Sequence, residues 1–221
     1  FTDALAAAIA CGGPAEVVFS STGHYLFLSG NADYGNLYES IITINGATNL
    51  LIRGQGDGTV LVSGDPQIGL LLITNSHTVK LQDFSVDYNP LPFTQGTVTG
   101  KTAASFGFRI DAGYPELTEI NPTNVQDGYR MGTYNGYTWP PISELGMTGF
   151  TKVSTGVWDI ACSSGGLATL GANDRVVYSG RRTQQHAVVV NMTKGFWLEN
   201  VNVHSSVGVG LCFNSVENVS I

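Results

Sequence analysis

The sequence predicts an all-β fold: a right-handed parallel β-helix, or solenoid, with an N-terminal capping helix and an inserted small antiparallel β domain. Three observations lead there. Four segments fit one template: Ile42-Thr43-Ile44-Asn45, Leu71-Leu72-Ile73-Thr74, Val188-Val189-Val190-Asn191 and Leu211-Cys212-Phe213-Asn214. In each, apolar residues alternate and the run ends on Asn or Thr. Apolar pairs then return at one fixed distance, at Leu50 and Ile52, Val79 and Leu81, Phe196 and Leu198, and Val219 and Ile221. Alternation is the period of a half-buried strand, and the polar residue marks the corner into the next one. A unit that turns a corner and repeats without helices reads as one rung of a solenoid.

Spacing is the second observation. Asn45 and Thr74 stand 29 positions apart, and Asn191 and Asn214 stand 23 apart. Both fall within the roughly 20–45 residues of solenoid repeats. The 117 positions from Thr74 to Asn191 do not. Residues 89–186 hold no further copy of the template, which favours one insertion over several degenerate rungs. The division is then 1–88, an N-terminal cap and first rungs; 89–186, an inserted β domain; and 187–221, the β-helix continued. Composition is the third. Only 12% of residues are charged, about half the usual share, and 28 glycines are available for corners. Right-handedness follows the general rule for parallel crossovers.

Taken in order, Thr2 to Cys11 read as a short helix. Thr2 or Asp3 can cap it, Leu5 and Ile9 share one face, and Gly12-Gly13-Pro14 ends it. Placed before the first strand, Glu16-Val17-Val18-Phe19, the helix is expected to plug the end of the solenoid. Gly54-Gln55-Gly56-Asp57-Gly58 lacks the Lys-Ser/Thr and the helix of a phosphate loop and reads as a glycine-rich corner. A single Trp158-Asp159 makes no propeller repeat. Within the insertion, strand-like pieces occur at Gly96–Thr99, Phe106–Ile110, Gly156–Ile160 and Asp174–Tyr178. Tyr114, Tyr129, Tyr134, Tyr137 and Trp139 lie there among prolines. They either stack on sugar rings or form the small domain's own core.

Partners and compartment follow from charge and cysteine. A net charge of −7 with ten scattered basic residues argues against a nucleic-acid surface and for a neutral partner such as a glycan or polysaccharide. No apolar run reaches the roughly 20 residues that span a bilayer. Cys11, Cys162 and Cys212 form no CxxC pair, so neither a metal site nor a cofactor is indicated, and a Cys11–Cys162 bridge stays open. Asn191-Met192-Thr193 and Asn218-Val219-Ser220 are N-glycosylation sequons for a secreted, extracellular protein. Asn191 occupies the corner column, where its amide can serve the backbone instead, so Asn218 is the better acceptor. The chain begins at Phe1 and stops inside a strand at Val219-Ser220-Ile221, which predicts a processed product or fragment with more rungs to follow. An open solenoid end would also permit self-association.

Two longer runs carry a resemblance. Asp87-Tyr88-Asn89-Pro90-Leu91-Pro92-Phe93-Thr94-Gln95-Gly96-Thr97-Val98 is followed by Phe108-Arg109-Ile110-Asp111-Ala112-Gly113-Tyr114-Pro115. With the stretch from Asp174-Arg175-Val176-Val177 to His204-Ser205-Ser206, they resemble the β-helical glycoside hydrolases of the α-1,3-galactosidase type, in the pectate-lyase-like superfamily. The resemblance spans roughly residues 40–221, and its most specific part is the Leu-Pro-Phe-Thr-Gln-Gly run. It implies a barrel-like domain inserted between rungs and inverting hydrolysis of terminal galactosides by aspartates. Those aspartates are expected downstream of residue 221, and no position here is matched to them.

The residues present still place candidates. Asp87 and His204 stand equally far beyond Thr74 and Asn191, and their inward neighbours make both point outward. If the insertion leaves and returns at one corner, the two stack about 4.8 Å apart, the spacing of strands. A carboxylate beside an imidazole can bind sugar hydroxyls or assist proton transfer; the plainer reading is a surface ion pair worth under about 1 kcal/mol. Inverting hydrolysis needs two carboxyl groups about 6.5–9.5 Å apart, and Asp87 with Asp111 is the pair to test. Arg181-Arg182, Tyr114 and Trp139 are candidate sugar contacts. Arg53, Gln82 and Glu199 form an outward charged column, and Asp83 and Asn200 are expected to bond backbone near a corner. Two other classes remain open: a non-catalytic structural or adhesive protein, and a calcium-dependent polysaccharide lyase acting on uronates.

Overall fold

The computed structural model describes residues 1–28, 38–120, 130–134, 143–162, 167–168, 170–180 and 185–221. They form two compact units, one of Phe1–Asn89 with Gln184–Ile221 and one of Pro90–Thr183. In the first unit, helix α1 (Thr2–Cys11) precedes β1 (Ala15–Val18) and β2 (Gly23–Phe27). Then come β3 (Ser40–Asn45), β4 (Thr48–Arg53), β5 (Thr59–Ser63), β6 (Gly69–Thr74) and β7 (His77–Tyr88). The second unit holds β8 (Phe93–Lys101), β9 (Ser105–Ile110), α2 (Leu117–Ile120), β10 (Arg130–Tyr134), β11 (Ser143–Leu145), β12 (Met147–Ser154), β13 (Val157–Cys162) and β14 (Arg175–Ser179). The first unit resumes with β15 (Val188–Asn191), β16 (Lys194–Val203), β17 (Leu211–Asn214) and β18 (Glu217–Ser220).

Pairing in the first unit is parallel and follows the sequence template residue for residue. Ile42, Leu71, Val188 and Leu211 are successive neighbours, as are Asn45, Thr74, Asn191 and Asn214. Leu50, Val79, Phe196 and Val219 form the next row. The two halves of the unit meet where β7 pairs with β16, with Val86 beside Val203. Ile44, Ile73, Val79, Leu81, Phe84, Val86 and Phe196 are completely buried between the sheets. Each such side chain contributes about 1.5–3 kcal/mol relative to an exposed one.

The expected fold class is corrected. The chain is mostly β, at 56%, but its sheets are of mixed parallel and antiparallel order, and one curls through 203° as a half-barrel; they do not make a right-handed parallel β-helix. A repeat template specifies which residues become neighbours. It does not specify that the whole chain coils. Strand β7 pairs with β4 through its first half and with β5 through its second, so successive strands share one branched seven-stranded sheet. The remaining parallel strands form a four-stranded sheet, β17-β15-β6-β3. The second unit adds a seven-stranded antiparallel sheet of order β11-β10-β14-β8-β9-β13-β12, three strands of which carried no legible signal.

Backbone conformation explains the polar punctuation. Gly46, Asn75, Met192 and Ser215 each follow a corner residue, and all four have positive φ. A second such column is Asn49, Thr78, Gly195 and Asn218, and a third is Asp83 with Asn200. Gly and Asn tolerate this left-handed region, whereas other L-residues lose roughly 1–2 kcal/mol there. Thr78, Ser215 and Met192 are the misfits in these two columns, and Met192, at φ 44°, is exposed. Met192→Asn should therefore raise stability by about 1 kcal/mol, read as a higher urea midpoint at unchanged slope. At the corners, Asn75 Nδ2 donates to Asn45 Oδ1 at 3.1 Å and Asn214 Nδ2 to Asn191 Oδ1 at 3.0 Å. This ladder links amides of successive corners at the exposed edge of the sheet.

Helix α1 differs from expectation at its start: Phe1 is the N-cap residue and no side chain caps the helix. Phe1 instead stacks on Phe19, with ring centroids 5.0 Å apart, so apolar packing holds this end. Gly12, at φ 65°, closes the other end by donating its N–H to Ile9 O.

In the second unit, Val98, Phe106, Phe108, Ile160, Val176 and Tyr178 form a separate core. Glu116 ties the segment before α2 to the β12–β13 hairpin. Its carboxylate accepts the Gly156 N–H at 2.8 Å and the Trp158 Nε1–H at 2.6 Å, with Lys152 Nζ at 3.1 Å. Burial alone would raise the carboxyl's pKa, but these donors outweigh it and hold it below the ordinary value. A depressed folded-state pKa contributes stability above the ordinary carboxylate range and loses it as pH falls through the folded value. Melting temperature should fall over that acidic window in the wild type, and Glu116→Gln should flatten this component while lowering stability at neutral pH.

Cys162 is buried, which pushes its thiol up to about 11. All three cysteines are free, with exposed Cys11 in the first unit and Cys162 in the second, so the bridge left open by sequence is not formed.

Candidate functional site

The structure places the candidates in two clusters, one in each unit. In the first, the parallel ladder between β7 and β16 ends where the His204 N–H donates to Val86 O at 2.9 Å. Asp87 and His204 therefore follow each other in register, both outward. The carboxylate does not take the imidazole as its partner: Ser205 Oγ–H donates to Asp87 Oδ1, which also accepts the Tyr88 N–H at 2.8 Å. The reason is local. Past His204 the chain leaves the sheet, and this turn carries the buried Ser205 hydroxyl over Asp87 while His204 stays exposed. The expected aspartate–histidine contact is corrected to an aspartate–serine one.

Beside it, Asn200 Nδ2 donates to Asp83 Oδ1 at 3.0 Å, and Asn202 Nδ2 to Asp57 Oδ1 at 2.7 Å. Asp83 and Asn200 thus serve each other across the strands rather than the backbone. The expected column of Arg53, Gln82 and Glu199 is in register, but its charges pair elsewhere: Arg53 with Glu16, and Glu199 with Lys80.

The second cluster is built on the outward face of the antiparallel sheet. Strands β8 and β14 pair Arg175 with Thr97 and Val177 with Gln95. Their alternate residues Gly96, Val98, Val176 and Tyr178 are turned inward. Gln95 and Arg175 therefore emerge on the outer side. Asp111 joins them because its N–H donates to Gln95 O at 2.9 Å, just beyond the end of β9. Arg175 grips the Asp111 carboxylate with both guanidinium nitrogens, Nη1 to Oδ1 at 3.1 Å and Nη2 to Oδ2. Gln95 Nε2 donates to Oδ2 at 3.0 Å, and Arg175 Nη1 also reaches Thr97 Oγ1 at 3.3 Å.

A turn then returns the chain to β8. Tyr114 N donates to Asp111 O at 3.2 Å, and Gly113 at φ 89° supplies the left-handed third residue. This sets the Tyr114 ring against Phe93, with centroids 5.9 Å apart and planes tilted by 49°. A half-exposed carboxylate, guanidinium and primary amide, edged by two rings, offers fixed donors and acceptors next to an apolar surface.

Asp111 thus lies in the second unit and Asp87 in the first, each engaged by its own partner. Trp139, Arg181 and Arg182 fall outside the described residues. Asn191 is held in the ladder, its Nδ2 on Thr74 Oγ1 at 3.4 Å and its Oδ1 occupied by Asn214, while Thr193 is buried; Asn218 is exposed. Sequence reasoning overlooked Gln95, Arg175 and Ser205. Arg175 was legible as an outward position of the marked piece Asp174–Tyr178, and Gln95 stands one residue before the piece marked at Gly96–Thr99. A depression of about 450 Å³ crosses the corners at Asn75, His77, Thr193, Lys194 and Glu217, and none of the predicted site residues lines it. Among the described residues no helix is long and apolar enough to cross a membrane, and no three His, Cys, Asp or Glu residues are grouped to hold a metal ion.

No protein-family model matches the chain, and no curated protein matches it.

Proposed function

We propose that this is a secreted carbohydrate-active protein of the glycoside-hydrolase type, which recognises galactose-containing glycans through the outward face of its second unit. One observation carries the reading. Phe93, Gln95, Asp111, Tyr114 and Arg175 come from three separate runs that resemble the α-galactosidase-type enzymes, and all belong to one cluster. Vicinal hydroxyls of a pyranose match a carboxylate and guanidinium held side by side, and its C–H face matches the ring pair. Ion pairing between Asp111 and Arg175 leaves the cluster neutral, which suits an uncharged sugar better than a uronate. Asp111, held by Arg175, serves recognition, and bond cleavage is assigned neither to it nor to Asp87.

Affinity electrophoresis through gels containing galactan tests the proposal. Retardation by galactan is expected, and Arg175→Ala should weaken it about tenfold or more, the cost of leaving polar groups of the site unpaired. Indifference to neutral galactans, or retardation by polygalacturonate that needs added calcium, would contradict it; the second result would favour the lyase reading.

A further inference from the structure

The exposed face of the seven-stranded parallel sheet carries an indole that neither the core nor the cluster above uses. Trp197 is 38% exposed in the middle of β16. Register sets it between Lys80 on β7 and Ser220 on β18. Its ring lies down along its own strand. A Cβ on Gly195, two residues earlier, would stand 3.1 Å from both Cη2 and Cζ3 of the indole, so the glycine is what lets the ring recline there. Gly195 also has φ 77°, within the column of left-handed residues.

The surroundings are polar and self-neutralised. Lys80 pairs with Glu199, and Arg53 with Glu16 further along the same face, while Gln82 lies between Arg53 and Glu199 in register. Trp197 keeps part of its flat aromatic surface open to solvent among paired charges. It does suit one kind of ligand. A neutral pyranose has an apolar C–H face for the indole and equatorial hydroxyls for the Lys80, Gln82 and Glu199 side chains. A polyanion would meet Glu199 and Glu16, and an apolar partner would have to cover two ion pairs.

We infer that Trp197, seated on Gly195 and flanked by Lys80, Gln82 and Glu199, is a second sugar-binding platform, which holds a neutral pyranose residue of a glycan. The inference rests on the glycan-recognition reading above but uses none of the residues of that cluster.

The test is calorimetric titration of a neutral galacto-oligosaccharide into the full chain, its Trp197→Ala, Trp197→Phe and Gly195→Ala variants, and Arg175→Ala. Circular dichroism first establishes that each variant is folded. Trp197→Ala should lose about tenfold in affinity or one of two binding steps, and Trp197→Phe should keep part of it. Gly195→Ala, which displaces the ring without removing it, should fall between them. Indole emission should shift on titration in the wild type and shift less in Trp197→Phe, with buried Trp158 contributing to neither difference. If Trp197→Ala binds as the wild type does while Arg175→Ala fails, the platform is overturned and the glycan reading stands. If only the Trp197 variants lose binding, the platform stands and the second-unit site falls. No binding by any form overturns both. A wild-type dimer that Trp197→Ala dissociates, with no effect of sugar, would assign the face to a second copy of this chain and overturn the inference.

Discussion

Gly96→Ala is expected to disable the second unit, with a loss of about 3 kcal/mol, the upper end of what overpacking costs. Gly96 lies inside the Leu-Pro-Phe-Thr-Gln-Gly run, directly after Gln95, at an inward position of β8. A Cβ there would stand 2.1 Å from the carbonyl oxygen of Arg109 and 2.8 Å from the Phe108 ring. Neither can yield: the first is backbone in the paired strand β9, and the second is a fully buried core residue. The two strands would have to separate where they hold Gln95 and Asp111. Loss of stability and loss of galactan retardation should therefore arrive together. A Gly96→Ala protein with wild-type melting and retardation would show that the β8–β9 approach does not organise the site.

The second large effect belongs to the other unit. Phe84 is completely buried in β7, beside Val201 of β16, where the strands from before and after the long excursion meet. Truncating a buried phenylalanine costs about 3–5 kcal/mol, from lost transfer energy and the cavity left behind. Phe84→Ala should reduce the first unit's stability by that amount. Phe108→Ala, in the separate core, should act on the second. Hydrogen exchange resolves the two: faster exchange in β4, β7 and β16 for the first variant, and in β8, β9 and β13 for the second. Equal acceleration across both sheets in either variant would mean that the cores do not melt as distinct units.

What was legible in the sequence, and what was not, divides along physical lines. Parallel in-register pairing leaves identical rows in every copy, so Asn45, Thr74, Asn191 and Asn214 could be aligned by eye and are neighbours in the structure. The fold class built on that alignment was wrong, because local periodicity carries no information about how sheets branch or curl. Strand β7, which serves β4 and β5 in turn, is a case that alternation alone cannot reveal. Antiparallel strands repeat nothing; β8, β9, β13 and β14 showed through alternation, whereas the short β11 did not.

Side-chain partners were the least legible. Asp87 and His204 were aligned by register, yet a hydroxyl one residue beyond the ladder took the carboxylate, which depends on how the chain turns rather than on spacing. Asp111 was singled out for a catalytic pairing and instead meets an arginine 64 positions away. The left-handed columns could have been read earlier. Asn49, Asn75, Asn200 and Asn218 all stand where only Gly or Asn is comfortable, and their recurrence was visible without coordinates.

The central claim is that Gln95, Asp111 and Arg175 present one recognition surface to a neutral galactoside. Heteronuclear NMR during titration with a galacto-oligosaccharide addresses it at the level of single groups. The account predicts that the Gln95 side-chain amide and the Arg175 guanidinium N–H signals shift with a common saturation curve, accompanied by the Tyr114 ring. Shifts confined to the corner depression at Asn75, His77 and Lys194, with Gln95 and Arg175 unmoved, would contradict it.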